Sequence, residues 1–95
     1  MQLEVAPRVA LDLKEIASFI ARDKPGAAAA WIERIQAEFS VIQGAPLIFP
    51  FAKEIGPGIR KARLGRYLIL LRTQGDVVRI ERVIHGMRDL PRQFK

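Results

Sequence analysis

Apolar and polar residues alternate, then follow a helical period, and then alternate again along this chain. The first six residues place Met1, Leu3 and Val5 on one side, which predicts a short strand. Residues 7–44 repeat apolar side chains at steps of three and four, as amphipathic helices do. From Ile59 onward the period returns to two. The pattern therefore predicts one strand, a helical region and a second group of strands.

The helical region divides at Asp23-Lys24-Pro25-Gly26, because this sequence interrupts a helix while proline is tolerated in the first turn of the next one. Two helices in such close succession predict a helical hairpin. The small side chains of Ala27–Ala30 would let the two helices approach closely. Each helix carries one apolar stripe. The stripes comprise Val9, Leu13, Ile16 and Ile20 in the first helix, and Ala28, Trp31, Ile32, Ile35, Phe39 and Ile42 in the second.

Residues 59–84 predict three strands joined by tight turns at Gly65-Arg66 and Gln74-Gly75-Asp76. The strand that begins at Tyr67 is apolar on both faces, so we expect it at the centre of the sheet. Together with the helices, this pattern predicts a single α+β domain over residues 1–95. Its order is β-α-α-β-β-β, with a helical hairpin packed on a small antiparallel sheet.

The phase of the last strand raises the question of how Arg82 is accommodated. In a regular strand Arg82 shares a face with the apolar residues at every second position from Val78 to Ile84. Burying a charged side chain is costly unless it is paired. Two interpretations stay open: an ion pair with Glu54 or Asp89, or a groove at this end of the sheet that holds an anion or an acidic chain.

Residues 45–58 predict a loop, since they contain three prolines and two glycines. The loop also carries Leu47, Ile48, Phe49 and Phe51, which makes it unusually apolar. Such a segment either packs on the core or forms a surface for a partner. Both interpretations stay open at this point.

Composition excludes several kinds of chemistry. The chain has no cysteine, which excludes disulfides, thiolate metal sites and a cysteine nucleophile. His85 is the only histidine, so we expect no metal site and no cofactor. We also expect a cytoplasmic protein without a membrane segment, because no signal peptide is visible and the apolar runs are short.

Positive charge is concentrated in the second half of the chain. Residues 1–47 carry five Lys/Arg and six Asp/Glu, a net charge of −1, whereas residues 48–95 carry eleven and four, a net charge of +7. This asymmetry indicates either an anionic partner on one face or simply a solvated basic surface. The basic residues of the predicted sheet and tail are Arg60, Lys61, Arg63, Arg66, Arg79, Arg82, Arg88 and Arg92.

An ordered set of short motifs spans nearly the whole chain. The motifs are Ala10-x-Asp12-Leu13-x-x-Ile16, Pro25-x-Ala27-Ala28, Gly58-x-Arg60, Tyr67-Leu68-Ile69 and Arg82-Val83-Ile84-His85-Gly86-x-Arg88-Asp89. In this order, and ending on His-Gly-x-Arg-Asp, the set resembles the RelE/ParE superfamily of toxins from bacterial type II toxin–antitoxin systems. The order of elements in that superfamily agrees with the order predicted above.

The resemblance implies a toxin that is neutralised by a cognate antitoxin. The antitoxin would wrap the toxin with an acidic C-terminal segment, and its N-terminal part, of ribbon-helix-helix type, would bind operator DNA. ParE-like members poison DNA gyrase, whereas RelE-like members cut mRNA on the ribosome. Candidate antitoxin-binding residues are Trp31, Leu47, Phe49 and Phe51.

The chain departs from the RelE-like pattern, in which a tyrosine near the C-terminus often takes part in cleavage. Its only tyrosine is Tyr67, in the predicted central strand. Cleavage needs both a base and an acid, and His85 could fill only one of these two roles. We therefore favour a ParE-like gyrase inhibitor, with an mRNA endonuclease as the alternative and a non-toxic basic binding module of the same fold as the second alternative. Whether the protein is an enzyme stays open.

These alternatives share one basic surface. If the protein cleaves RNA, the candidate catalytic residues are Arg60, Arg82, His85 and Arg88. If it acts by binding, the candidate target-binding residues are Arg60, Lys61, Arg63, Arg82 and Arg88.

Overall fold

A computed structural model describes residues 1–86 of the chain. The sequence-based predictions for Arg88, Asp89 and Arg92 lie outside these residues. The helices and strands follow the predicted order, with one added 3-10 turn. They are β1 (Gln2–Val5), α1 (Pro7–Asp23), α2 (Pro25–Gly44), the 3-10 turn (Pro46–Ile48), β2 (Arg60–Leu64), β3 (Tyr67–Gln74) and β4 (Val77–His85). No helix in the described part of the chain is long and apolar enough to cross a membrane.

The four strands form one sheet in the order β1-β4-β3-β2. The strands β2, β3 and β4 pair antiparallel, as predicted, but β1 pairs parallel to β4, with Gln2 opposite Val77 and Val5 opposite Ile80. The α+β fold is therefore confirmed, and the sheet is mixed rather than antiparallel. Alternation in a four-residue strand indicates which face is buried but carries no information on the direction of pairing.

The two helices form the predicted hairpin, with Lys24 as the only residue between them. Their apolar stripes pack on one face of the sheet, as expected for amphipathic helices. Val9, Ile35 and Ile42 are fully buried there, together with Ile69 and other residues of β3 and β4. This cluster is the main core.

The other face of the sheet carries a smaller core beneath the loop that joins α2 to β2. Ala52, Ile55 and Ile59 of this loop pack on Leu68, Leu70 and Ile84 of the sheet. The apolar loop thus packs against the protein through part of its length. Leu70 and Leu71 are both fully buried on opposite faces of β3, which confirms that β3 is the central, doubly covered strand.

A β-bulge interrupts β4 at Glu81. Leu71 lies opposite Ile80, but Leu70 lies opposite Arg82, so Glu81 is the extra residue. The bulge changes the phase of the strand, and Val83 joins Val78 and Ile80 in the main core. The prediction that Arg82 and Ile84 share the face of Val78 is therefore wrong, because it assumed a regular strand.

Candidate functional site

Arg82 forms an ion pair with a buried carboxylate of α1. Its Nε donates to Asp12 Oδ2 and its Nη2 donates to Asp12 Oδ1, each at 2.9 Å. Asp12 is 3 % exposed and is the only buried charged residue among the described ones. A bidentate contact of this kind is the strong form of an arginine–carboxylate pair. The ion-pair interpretation is thus correct, although the partner is Asp12 rather than Glu54.

Asp12 also accepts a backbone hydrogen bond from β4. Val83 N–H donates to Asp12 Oδ2 at 3.0 Å. β1 pairs with β4 only as far as Ile80, whereas β4 continues to His85. Beyond Ile80, the backbone N–H groups of β4 that face the β1 side have no neighbouring strand within residues 1–86 to accept their hydrogen bonds. The α1 carboxylate replaces that missing strand, which agrees with the rule that buried backbone donors find a partner.

Arg60 holds the loop that precedes β2. Its Nη1 donates to the carbonyl oxygens of Phe49 at 2.7 Å and Leu47 at 3.4 Å. The guanidinium also lies over the Phe51 ring, 4.0 Å from its centroid, in a cation–π arrangement. Arg60 therefore orders the loop, a role that sequence reasoning did not assign to it.

Three further basic side chains of the sheet have intramolecular partners. Lys61 pairs with Glu54 at 2.7 Å, and this hydrogen bond lowers the pKa of Glu54. Arg79 pairs with Glu81 at 3.0 Å. Arg72 donates to the carbonyl oxygen of Pro57 at 2.9 Å. Gly58, the next residue after Pro57, has φ +77°, and a Cβ at this position would lie 3.2 Å from Arg72 Nη1. The backbone conformation and the close approach of Arg72 therefore favour glycine here.

The end of the sheet near the β2–β3 turn presents a different arrangement. A shallow depression of about 360 Å³ is lined by Arg63, Gly65, Arg66 and His85. His85 stacks edge-on against Tyr67, with ring centroids 5.6 Å apart. The structure therefore brings His85 close to Arg63, while it places Arg60 and Arg82 in other contacts.

The candidate antitoxin-binding residues divide by exposure. Leu47 and Phe51 are 62 % and 51 % exposed, and Ile48, which the candidate set omitted, is 72 % exposed. Phe49 is partly buried against the main core. Trp31 is a core residue at 7 % exposure, stacked edge-on against Tyr67. Its place in the helical stripe buries Trp31 in the described conformation, and its assignment to antitoxin binding stays a prediction.

Sequence reasoning missed Asp12, although a signal for it exists. Asp12 lies three residues after Val9 and four before Ile16, so it occupies a stripe position. An acidic residue in a buried stripe calls for a basic partner elsewhere in the fold. Within residues 1–86, no group of three or more His, Cys, Asp or Glu side chains is arranged so that it could hold a metal ion.

Comparisons with known proteins agree with this fold. A solved structure described as the chromosomal ParDE toxin–antitoxin system from P. aeruginosa superposes with a TM-score of 0.80 at 20 % identity, and the match covers 90 % of this chain and 95 % of that one. No curated protein matches the sequence. The family model of the ParE toxin of the type II toxin–antitoxin system parDE matches residues 3–90. The chain therefore belongs to the ParE toxin family of type II toxin–antitoxin systems.

Proposed function

We propose that this protein is a toxin that inhibits DNA gyrase by binding and is neutralised by a cognate antitoxin. The family match over residues 3–90 is the observation that carries this proposal. The antitoxin would be of ribbon-helix-helix type and would bind operator DNA itself. In this proposal the protein acts in the cytoplasm, where its target is found.

The geometry of the basic residues supports binding over RNA cleavage. A nuclease of the RelE type needs cationic side chains at the phosphate, with an acid and a base beside them. Arg82 is held by Asp12, and Arg60 is held by loop carbonyl oxygens. Tyr67 is packed between the rings of Trp31 and His85. Using these side chains in cleavage would require breaking contacts that stabilise the fold.

The first experiment mixes the purified toxin with gyrase and supercoiled DNA. We expect inhibition of supercoiling and accumulation of cleaved DNA, since a ParE-like toxin stabilises the cleaved complex. Ribosomes translating a defined message provide the parallel assay, read by primer extension. Absence of any gyrase effect at high toxin excess, or new cuts in ribosome-bound mRNA, would contradict the proposal.

For the antitoxin we propose a docking surface formed by Leu47, Ile48 and Phe51, called the loop patch below. These side chains are more than half exposed. Phe51 also borders a depression lined by Lys53, Gly56, Pro57 and Gly58. Apolar side chains beside a lysine suit an acidic amphipathic segment. A partner that covers the loop patch would remove a solubility hazard.

Ile48→Asp is expected to weaken antitoxin binding by about 10- to 100-fold, because burying one large apolar side chain contributes about 1.5–3 kcal/mol. Ile48 is the most exposed member of the loop patch, so the substitution should leave the fold intact. Isothermal titration calorimetry with the cognate antitoxin gives the dissociation constant.

Leu11→Asp is the matched control for that measurement. Leu11 is 52 % exposed on α1. The substitution therefore introduces the same charge at an exposed apolar position outside the loop patch. We expect its affinity to stay within about threefold of the parent protein. Equal losses of affinity for the two variants, or no loss for Ile48→Asp, would show that the antitoxin does not bind the loop patch.

A further inference from the structure

Two arginines at the β2–β3 hairpin differ from the other basic residues of this region in their contacts. Between residues 60 and 86 the chain has seven Lys/Arg. Five of them contact an acidic side chain or a backbone carbonyl, as described above. Arg63 and Arg66 form neither an ion pair nor a side-chain hydrogen bond within residues 1–86, and both are exposed. Their charges are therefore available to an external anion.

The local backbone presents these two charges from a fixed frame. Gly65 adopts φ +59° in the two-residue turn between β2 and β3, which suits a tight hairpin turn with glycine first. The carbonyl oxygen of Arg66 accepts a hydrogen bond from Gly86 N–H at 2.9 Å, which joins the turn to the end of β4. Only the two side chains, and not the turn, need to be ordered on binding, and this lowers the entropic cost.

We propose that Arg63 and Arg66 bind backbone phosphates of duplex DNA. The inference rests on the proposed function in one respect, since the DNA would be the segment held by gyrase. Guanidinium groups bind phosphate oxygens bidentately. Among residues 1–86, no acidic side chain lines the depression that they share with Gly65 and His85. Toxin and gyrase would then hold the same DNA from two sides.

The surroundings favour a phosphate backbone over an acidic polypeptide. An acidic amphipathic segment needs apolar contacts beside its charges. The exposed large apolar residues of the described chain are Met1, Val5, Leu11, Phe19, Val41, Leu47, Ile48 and Phe51, so none follows residue 51. Within the described residues, the turn region therefore offers charge without exposed large apolar side chains, whereas the loop patch offers apolar contacts.

The test measures direct binding of the toxin to a fluorescein-labelled DNA duplex of about 20 base pairs, with no gyrase present. Arg63→Gln/Arg66→Gln is expected to weaken binding at low salt by about tenfold or more. It should also reduce the slope of log affinity against log salt by about 2, because each lost phosphate contact removes about 0.9 from it. Fluorescence anisotropy across a salt series gives both quantities.

Arg22→Gln/Lys24→Gln is the matched control, because it removes the same net charge from exposed positions at the α1–α2 junction. The control should change the slope by less than about 0.5. Thermal melting confirms that both double variants are folded. An unchanged affinity and slope for Arg63→Gln/Arg66→Gln, or equal losses in the two double variants, would overturn the inference. Binding of polyglutamate in place of DNA through the same two arginines would also overturn it.

Supercoiling assays with the same variants separate this inference from the proposed function. DNA binding that depends on Arg63 and Arg66, without any effect of the parent toxin on gyrase, would support the site and contradict gyrase as the target. Gyrase inhibition by the parent toxin, with DNA binding indifferent to the two arginines, would support the target and overturn the site.

Discussion

Asp12→Ala is expected to lower the free energy of unfolding by about 3–5 kcal/mol, the range found when one partner of a buried ion pair is removed. The substitution removes the carboxylate that pairs with Arg82, whose side chain is 18 % exposed. It also leaves Val83 N–H without the oxygen that accepts its hydrogen bond, at a further cost of the kind paid by any unsatisfied buried donor. Arg8, which contacts Asp12 at 3.2 Å, cannot replace a lost acceptor.

A short series of variants separates the charge from the backbone hydrogen bond. Asp12→Asn keeps an oxygen for Val83 N–H but removes the charge that balances Arg82, so we expect a smaller loss than for Asp12→Ala. The double variant Asp12→Leu/Arg82→Met removes both charges, which can be nearly neutral for buried pairs. It should still be less stable than the parent by about 1–3 kcal/mol, because the Val83 donor stays unpaired.

Urea unfolding at neutral pH measures these differences. Asp23→Ala, at an exposed acidic position at the end of the same helix, serves as the control and should stay within about 0.5 kcal/mol of the parent. If Asp12→Ala lost no more than this control, the carboxylate would not be the element that completes the edge of β4. If Asp12→Leu/Arg82→Met were as stable as the parent, the loss in Asp12→Ala would come entirely from the unbalanced charge and not from the Val83 hydrogen bond.

Local periodicity explains why the helices and strands are predictable from sequence. The stripe containing Val9 and Ile16 defines the buried face of α1, and the doubly apolar segment from Tyr67 identifies β3 as central. Both features depend only on side chains a few positions apart. Whether β1 pairs parallel or antiparallel to β4 depends instead on the path of the chain through the two helices. A local sequence pattern does not determine that path.

The arrangement around Arg82 is not predictable from periodicity for a different reason. The alternation continues through Glu81 in the sequence, but the bulge at Glu81 places Val83 in the main core. The same region brings Val83 N–H and Arg82 to the α1 carboxylate, 70 residues away in the chain. The candidate site therefore depends on a tertiary contact, and basic residues that looked equivalent in sequence acquire different roles.

Leu70→Ala is the second substitution for which we expect a large effect, a loss of about 2–5 kcal/mol in the free energy of unfolding. Leu70 is fully buried in the small core between the sheet and Ala52, Ile55 and Ile59 of the loop. The cavity left by the truncation lies directly beneath the segment whose end carries Phe51. We therefore expect the loop to open more often, in addition to the global loss.

Leu71→Ala provides the matched comparison, since Leu71 is the adjacent residue, is also fully buried, and packs on the helical side of β3. Both variants should lose similar global stability, but only Leu70→Ala should speed hydrogen exchange at the amides that hold the loop. These are Ala52 N–H, bonded to Ile59 O at 2.7 Å, and Gly56 N–H, bonded to Ala52 O at 3.1 Å. Their exchange reports local opening separately from global unfolding.

The same pair of variants connects the small core to the proposed antitoxin surface. A loop that opens more often is competent to bind for a smaller fraction of the time, and the apparent affinity falls by that fraction. Leu70→Ala should therefore weaken antitoxin binding more than Leu71→Ala does at equal global stability. Equal binding by the two variants, with faster loop exchange in Leu70→Ala alone, would mean that the antitoxin does not require the ordered loop patch.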